Sequence, residues 1–395
     1  MRLFATFFML LFLIGCIEPV QLEWKFDLGA PSVSTPLITE DFIAVGTSQG
    51  VRLVTYQGSQ RCSFDKAGEV ISKPATDGEL IFFGSTNYVV YAMDTHCKEK
   101  WSFQTRDRVK ADPLVADGMV YIGSYDGHFY ALDAKTGKAK WTFPSLGTKK
   151  PASSQFEMPS QAPAAPEAKG DAKPAPAPAS AAPASPSDPT DVGGFSYSSA
   201  AIHNGIIFVG NLDYRLYALD AATGKMLWRY KTEAPVTSSP TVSGTHVYFG
   251  SNDGNVYDIN VENMQKPTVR WKVPTRDWVN SSVRLDEGMA FIGSNDRRLY
   301  ALDEKTGGAK WSFATKGPAI SVPAIFKSLV FVAGGAGDGH VYALNKKTGD
   351  LHWRFRTGDK IESDPVVAVK ERHLYVTSSD GFLYAFIINS TIQRN

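Results

Sequence analysis

The sequence predicts an all-β protein, an eight-bladed β-propeller of four-stranded antiparallel blades, and two observations carry this prediction. The motif Ala-x-Asp-x-x-Thr-Gly-x-x-x-Trp recurs at residues 131–141, 218–228 and 301–311, and with Asn for the aspartate at 343–353. Each copy follows a similar lead-in of alternating apolar residues, as in Val120 to Tyr130. Repetition at about 40 residues with strand-like alternation is typical of propeller blades.

The residues of one repeat predict its strands and turns. Val120 to Gly123 forms a short strand, Asp126-Gly127 a hairpin turn, and residues 129–132 the return strand. Asp133 and Thr136-Gly137 then form a second tight turn before a strand that ends in Trp. The run before each unit supplies the fourth strand. A lone sheet would leave both faces unprotected, so the units must stack, and the large Trp is suited to wedge between neighbouring blades.

The wedge position gives the number of blades. It occurs eight times along the chain, at Trp24, Cys62, Trp101, Trp141, Trp228, Trp271, Trp311 and Trp353. The chain after Trp353 supplies three strands, whereas the segment around Trp24 supplies one strand with no unit before it. We therefore expect the N-terminal strand to complete the C-terminal blade and close the ring, which removes the open sheet edges between the ends.

The N-terminal residues 1–15 have the form of a signal peptide, with one basic residue and an apolar run too short to span a bilayer comfortably. The sequence Leu13-Ile14-Gly15-Cys16 resembles a bacterial lipobox, which implies a lipid anchor on Cys16; an ordinary signal peptide with an incidental cysteine is the alternative. By resemblance to lipoprotein sorting signals, Ile17 in place of aspartate implies the outer membrane of a diderm bacterium.

Between the two parts of the propeller, residues 16–146 and 194–395, lies a Pro/Ala-rich insertion at 147–193. It lacks a strand pattern, and we expect a disordered segment outside the core, serving either as a tolerated surface loop or as an arm that reaches a partner. Cys62 and Cys97 belong to adjacent units. They can form a disulfide in an oxidising compartment or remain small buried thiols, and sequence alone leaves both open.

Two columns appear when the units are aligned on the wedge. Ten residues after it the side chains are small, as packing near the axis requires: Ser34, Ser72, Ala111, Ser238, Ser281, Ser321 and Ser363. Seven residues after it the column varies and should line one mouth of the channel: Pro31, Glu69, Arg108, Pro235, Trp278, Pro318 and Lys360. We predict Trp278, Arg108 and Lys360 as partner contacts, because an exposed aromatic beside basic groups is typical of interface hot spots; packing of Trp278 under its own loop is the alternative.

The chemistry-bearing residues do not assemble into a catalytic site. The aspartates fall in turns, and we expect His128 and His340, at equivalent positions near turns, to be solvated. The sequence offers no set of nucleophile, base and orienting residue from which a catalytic site could be assembled, and no residues at the spacing of metal ligands. We therefore predict no catalytic residues, no metal and no cofactor. The formal net charge of +1 gives no support for nucleic-acid binding.

The repeated docking motif resembles that of the pyrroloquinoline-quinone (PQQ) propellers, over nearly the whole mature chain. The quinoprotein dehydrogenases of that group add a vicinal Cys-Cys disulfide, a calcium site and a catalytic aspartate, and no Cys-Cys pair exists here. Together with the lipobox and blade count, the motif resembles the BamB family of outer-membrane β-barrel assembly lipoproteins. The resemblance implies a non-enzymatic scaffold, anchored in the outer membrane and facing the periplasm, that binds the β-barrel assembly protein and its periplasmic domains.

One departure weakens this resemblance. BamB proteins use a Leu/Arg-containing segment that runs into Gly-Glu-Ser for a barrel contact, whereas this chain has Asp191 to Ser199 there. Two alternatives therefore remain beside the scaffold: a sensor propeller that binds a small ligand or quinone, and a PQQ-dependent dehydrogenase.

Overall fold

The computed structural model describes residues 19–144, 194–195 and 197–389. The predicted signal peptide, Cys16 and the whole insertion at 147–193 lie outside the described residues. Within the described part of the chain, no helix combines the length and the apolar character needed to cross a membrane.

Eight four-stranded antiparallel sheets form the ring, as predicted. The first strand, β1 (Val20–Asp27), belongs to the last blade. Blade 1 contains β2 (Leu37–Ile38), β3 (Ile43–Thr47), β4 (Gly50–Val54) and β5 (Gln60–Phe64), followed by a 3-10 turn at Asp65–Ala67. Blade 2 contains β6 (Ala75–Thr76), β7 (Ile81–Gly84), β8 (Val89–Met93) and β9 (Glu99–Gln104). Blade 3 contains β10 (Leu114–Ala116), β11 (Met119–Gly123), β12 (Phe129–Asp133) and β13 (Ala139–Phe143). Blade 4 contains β14 (Ala201–His203), β15 (Ile206–Asn211), β16 (Arg215–Asp220) and β17 (Met226–Lys231).

The second half of the ring repeats this order. Blade 5 contains β18 (Thr241–Ser243), β19 (His246–Gly250), β20 (Asn255–Asn260) and β21 (Thr268–Pro274). Blade 6 contains β22 (Arg284–Asp286), β23 (Met289–Ser294), β24 (Arg298–Asp303) and β25 (Ala309–Ala314). Blade 7 contains β26 (Ala324–Phe326), β27 (Leu329–Ala333), β28 (His340–Asn345) and β29 (Leu351–Arg356). Blade 8 contains β30 (Val366–Ala368), β31 (His373–Thr377) and β32 (Phe382–Ile388), and β1 (Val20–Asp27) is its fourth strand.

The N-terminal strand closes the ring as expected. β1 pairs antiparallel with β32, from Val20 opposite Ile388 to Asp27 opposite Phe382. The chain then passes from Asp27 into blade 1, so the first and last parts of the sequence share one sheet. This closure buries the edge that β32 would otherwise expose.

Successive blades dock through the wedge residue, which packs against the Thr-Gly turn of the next blade. The indole N–H of Trp141 donates to the carbonyl of Ala221 in blade 4 (2.9 Å), and a Cβ added to Gly224 would lie 2.5 Å from the Trp141 ring. The same indole-to-carbonyl bond recurs for Trp24, Trp101, Trp271 and Trp311.

Two junctions depart from this pattern. Blade 8 has no such turn, and Trp353 instead packs edge-on against Phe386 (ring centroids 5.3 Å apart). In blade 5 the corresponding turn, residues 261–267, is longer, and the buried indole N–H of Trp228 has no hydrogen-bond partner among the described residues.

The disulfide left open by the sequence is present. Cys62 in blade 1 is bonded to Cys97 in blade 2, with Cα atoms 6.0 Å apart. Cys97 has φ +59°, the left-handed conformation that glycine adopts in the matching turns of other blades. The disulfide thus stands where another junction has a Trp packed on a Gly turn.

Candidate functional site

The two faces of the ring carry different turns and connections. We call the top face the side with the hairpins between the second and third strands and the connections between blades. The bottom face carries the turns between the first and second strands and those between the third and fourth. The three predicted partner contacts all lie on the top face.

Arg108, Trp278 and Lys360 occupy equivalent places around the mouth of the channel. The carbonyl of each accepts a hydrogen bond from the hairpin of the blade that follows: from Tyr125 to Arg108 (3.0 Å), from Asn295 to Trp278 (2.8 Å) and from Ser379 to Lys360 (3.0 Å). Their backbones are therefore held by the fold while their side chains remain partly exposed. The structure does not bring the three together, because they belong to the connections that enter blades 3, 6 and 8.

Each predicted contact has a different local environment. The guanidinium of Arg108 lies 5.1 Å from the centre of the Tyr125 ring, and Lys110 lies over both Tyr125 (5.2 Å) and Tyr197 (5.6 Å). Arg108 is thus part of a cluster of two cations and two tyrosines at blades 3 and 4. Such cation–π contacts preorganise long side chains for binding.

Lys360 and Trp278 lie at two other places around the mouth. The ammonium of Lys360 pairs with Glu362 (2.8 Å) and lines a cleft of about 130 Å³ between residues 337–339 and 356–360. The backbone N–H of Trp278 donates to the Asp277 carboxylate (2.8 Å), and its indole is half-buried, between the exposed and the packed alternatives.

Two residues that the sequence analysis did not single out are more exposed than these three. Tyr88 and Tyr214 are each 44% exposed, at the tips of the blade 2 and blade 4 hairpins, with φ of +74° and +73°. In five other blades this position is a glycine with positive φ: Gly50, Gly127, Gly254, Gly339 and Gly381. The sequence alone could have identified these two positions, because a bulky residue stands where most of the aligned hairpins have glycine.

The fold does not require tyrosine at these tips. The backbone carbonyl of Tyr88 accepts a bond from Thr105 (2.8 Å), and that of Gly254 accepts the matching bond from Thr275 (2.7 Å). A large side chain in the left-handed region is strained, and such strain persists at functional positions. The third exception in this column, Arg297 of blade 6, is also exposed.

Below the mouth, a ring of residues encircles the channel eleven positions after each wedge, except that Ser199 follows Trp141 at a longer distance because the insertion intervenes. Hydrogen bonds pass from blade to blade around it: the backbone N–H of Lys73 donates to Asp112 (2.7 Å), that of Asp112 to Ser199 (3.0 Å), and so on through Ser239 and Ser282. On the far side, Val322 donates to Asp364 (2.7 Å) and Asp364 to Thr35 (2.9 Å). The blades are thereby joined at the axis as well as at the wedge.

The ring contains three charged side chains, Lys73, Asp112 and Asp364. Burial raises the pKa of Asp112 to about 6, although the N–H and the charge of Lys73 oppose the shift. Burial likewise raises the pKa of Asp364, and this carboxylate is one of the charges that disfavour ionisation of Asp112. The narrow part of the channel is polar but has little excess charge.

The small column predicted near the axis has a hydrogen-bonding role beyond packing. The hydroxyl of Ser238 accepts from the backbone N–H of Gly250 and donates to its carbonyl (both 2.8 Å). The same N–H contact recurs at Ser34, Ser72 and Ser321. Each serine ties the start of the innermost strand to the end of the second strand.

The expectation for the two histidines is wrong. His128 and His340 are only 4% and 8% exposed, because their hairpins are covered by the incoming connection. The Nδ1 atoms lie against the carboxylates of Asp126 (3.3 Å) and Asp338 (2.6 Å). Burial opposes ionisation of Asp126, but hydrogen bonds led by that from His128 hold its pKa below the usual range. These aspartates also accept backbone bonds from the connection, so the histidines belong to structural turns.

The described residues do not fit the calcium site of a quinoprotein dehydrogenase. Calcium takes six to eight oxygen ligands. No group of three or more His, Cys, Asp or Glu residues in the described part of the chain could hold a metal ion. Asp112 and Asp364 are committed to backbone donors, and the one disulfide joins two blades instead of two adjacent cysteines.

Comparison with known proteins places the chain in a family. The family model described as "Outer membrane protein assembly factor BamB" matches residues 51–172, 184–267, 265–322 and 315–391. A protein of that name from Yersinia pestis is 28% identical over 159 residues, which are 36% of this chain and 40% of the relative. The alignment thus spans less than half of that relative's length.

Other relatives share the repeat. Quinohemoprotein alcohol dehydrogenase ADH IIB from Pseudomonas putida is 30% identical over 138 residues, 34% of this chain and 15% of that enzyme. The crystal structure of BamB from Moraxella catarrhalis superposes with a TM-score of 0.70 at 15% identity, covering 93% of this chain and 99% of that one, which shows a shared fold. Since the family model matches well over half of the sequence, this chain belongs to the outer membrane protein assembly factor BamB family.

Proposed function

We propose that the protein is a non-enzymatic envelope scaffold that binds other proteins of outer-membrane assembly through its top face. Lipidation of Cys16 would anchor it in the outer membrane, facing the periplasm. Its partners would be the β-barrel assembly protein and that protein's periplasmic domains. Membership of the BamB family supports a role in outer-membrane assembly. The residues exposed on the top face support protein binding as the way in which it acts.

The exposed tyrosines carry the proposal. Tyr88 and Tyr214 hold backbone conformations that glycine would adopt at no cost, and their side chains stabilise no core. Tyr and Arg are the residue types that dominate interface hot spots. Tyr88, Tyr214 and Arg297 at the hairpin tips, with Arg108 and Lys110 at the mouth, give one face the composition of a binding surface.

The charge of this face indicates the partner's chemistry. The connection into blade 3 carries Arg106, Arg108 and Lys110 against two acidic residues, Asp107 and Asp112, and Asp112 belongs to the hydrogen-bonded ring below the mouth. A partner surface with exposed carboxylates would complement it, and such pairs mainly accelerate and orient association.

The test is co-purification. The tagged, lipidated protein is extracted from its own membranes in mild detergent, and the proteins recovered with it are identified. Recovery of the β-barrel assembly protein supports the proposal. Recovery of a different envelope complex, or of no protein, would contradict the assembly role.

The similarity to quinohemoprotein alcohol dehydrogenase makes a second test necessary. We expect no dye reduction by the purified protein with alcohols after addition of PQQ and calcium, because the described residues lack the ligands for that calcium. Sustained PQQ-dependent turnover would overturn the non-enzymatic proposal.

A further inference from the structure

The bottom edge of blade 8 exposes an unusual set of apolar side chains. Leu22 is 42% exposed, Ile387 36% and Val369 64%. The remaining large hydrophobic side chains that are this exposed in the described chain are Tyr88, Tyr214 and Leu351, the last of which lies at the bottom of the adjacent blade 7. We call Leu22, Val369 and Ile387 the blade 8 edge.

Two of these positions are polar or glycine in the other blades. Ile387 lies opposite His373, as Asp133 lies opposite Met119, so Ile387 stands where the docking motif has its aspartate. Val369 follows Ala368 in the turn after the first strand, where blades 1–7 have Thr39, Asp77, Asp117, Asn204, Gly244, Glu287 and Lys327. Blade 8 has no turn after its third strand, so position 387 needs no turn-forming residue. Packing does not explain an apolar side chain at either position, however, since both side chains are exposed.

The same edge is where the chain enters the ring. Val20 pairs with Ile388 at the bottom end of β32, and the backbone N–H of Asn389 donates to the carbonyl of Pro19 (3.0 Å). Only residues 17–19 separate Cys16 from Val20. Even a fully extended chain of this length spans only about 14 Å. A lipid on Cys16 would therefore hold the bottom of blade 8 close to the membrane surface.

We propose that the blade 8 edge rests on the phospholipid surface and fixes the orientation of the propeller relative to the membrane. This inference depends on the proposed lipidation of Cys16. Apolar side chains enter the boundary between headgroups and acyl chains, and basic neighbours contact the phosphates. Lys370 and Arg372, both exposed, flank the acidic Glu371 in the turn that begins at Val369. Lys370 pairs with Glu40 of the adjacent blade 1 (3.4 Å), but both side chains of this pair are more than 80% exposed, so the two basic groups can still reach lipid phosphates.

The orientation has a consequence for the top face. Blade 4 is diametrically opposite blade 8 in the ring, and its hairpin tip lies on the other face. A propeller resting on the blade 8 edge therefore directs Tyr214 away from the lipid, where a periplasmic partner can reach it.

Hydrogen exchange on vesicles tests the inference. The lipidated protein is reconstituted into vesicles of phosphatidylethanolamine and phosphatidylglycerol, and flotation first confirms that it is bound. We expect amide exchange in residues 369–372 to be about tenfold slower than in the soluble Cys16→Ser variant. The equivalent turn of blade 6, residues 286–288, should exchange equally in both.

The possible outcomes distinguish the anchoring through Cys16 from the membrane contact of the blade 8 edge. Failure to float would overturn the anchoring on which the inference rests, whereas flotation without protection of residues 369–372 would overturn the inference itself. The variant L22S/V369S/I387S should float and lose the protection. Y214S, which removes an equally exposed side chain from the opposite blade and face, should keep it. Protection that persists in the triple variant would also contradict the role of these side chains.

Discussion

Cys62 and Cys97 replace, in one junction, the two residues that dock every regular pair of blades. Cys62 takes the wedge position of Trp141, and Cys97 takes the positive-φ position of Gly224. The Sγ atom of Cys62 also lies 3.8 Å from the carbonyl of Thr95, the kind of acceptor that the indole N–H uses elsewhere. A covalent bond between blades 1 and 2 therefore substitutes for the packing of an indole on a turn.

Loss of this disulfide should destabilise the ring. The sequence separation is 35 residues, for which the chain-entropy relation gives about 4 kcal/mol. We expect C62S/C97S to lower the free energy of unfolding by about 2–4 kcal/mol, measured by denaturant unfolding. The variant C62W/C97G should recover most of this loss, because it restores the docking pair of the other junctions. If C62W/C97G is no more stable than C62S/C97S, the equivalence of the two junction types is wrong.

The glycine in the docking turn should be sensitive because the Trp ring covers it. Gly224 (φ +70°) has no room for a Cβ beside Trp141, whereas Gly205 (φ +73°) has no atom within 4 Å of an added Cβ. We expect Gly205→Ala to cost about 1 kcal/mol from backbone strain and Gly224→Ala about 2–3 kcal/mol, because overpacking adds to it. Thermal unfolding measures both, and equal losses would contradict close packing of the indole.

The axial ring should make stability depend on pH. Because burial raises the pKa of Asp112 from its ordinary value to about 6, the folded chain binds this proton more tightly than the unfolded chain. The free energy of unfolding therefore falls as pH rises from about 4 to about 6, and the penalty is complete above pH 6. Asp112→Asn should be more stable than wild type by up to about 3 kcal/mol at pH 7.5, since its amide oxygen still accepts from Lys73, and should show no gain at pH 4. A variant that is destabilised equally at both pH values would refute this role.

Binding at the top face should depend on tyrosines and on charge. We expect Y88S/Y214S to reduce recovery of the partner at least tenfold, the effect of losing a hot-spot residue worth about 2 kcal/mol. The melting temperature of Y88S/Y214S should be unchanged or slightly raised, because the two tyrosine side chains do not pack in the core. R106E/R108E should weaken binding most at low ionic strength, since salt screens these charges. The bottom-face variant K135E/K138E, which changes the net charge by the same amount at two exposed residues, is the matched control.

The fold was predictable because its determinants are local and repeated. Asp133, Thr136 and Gly137 specify one turn, and Trp141 specifies one contact. The wedge position recurs eight times at about 40 residues, apart from the gap that holds the insertion, and such repetition is typical of a closed ring of blades. Ring closure by β1 followed from counting strands. The disulfide could not be decided, since it needs the approach of two turns in space, yet Cys97 already stood in the glycine column of the motif.

The candidate site was predictable only in part. Alignment on the wedge located Arg108, Trp278 and Lys360 at the channel mouth, because that column has a fixed distance from the repeat. It gave no information about contacts across blades, so the pairing of Arg108 with Tyr125 was not foreseen, nor was the burial of His128. Tyr88 and Tyr214 were missed because the glycine column of the hairpins was not compared from unit to unit.

The central claim is that the top face binds the outer-membrane assembly machinery, and site-specific photocrosslinking in cells tests it most directly. A photoreactive phenylalanine derivative replaces Tyr88 or Tyr214 on the top face, and Lys135 or Thr245 on the bottom face. We predict that positions 88 and 214 crosslink to the β-barrel assembly protein and that positions 135 and 245 do not. Crosslinks to that protein from the bottom face alone, or none from any position, would contradict the claim.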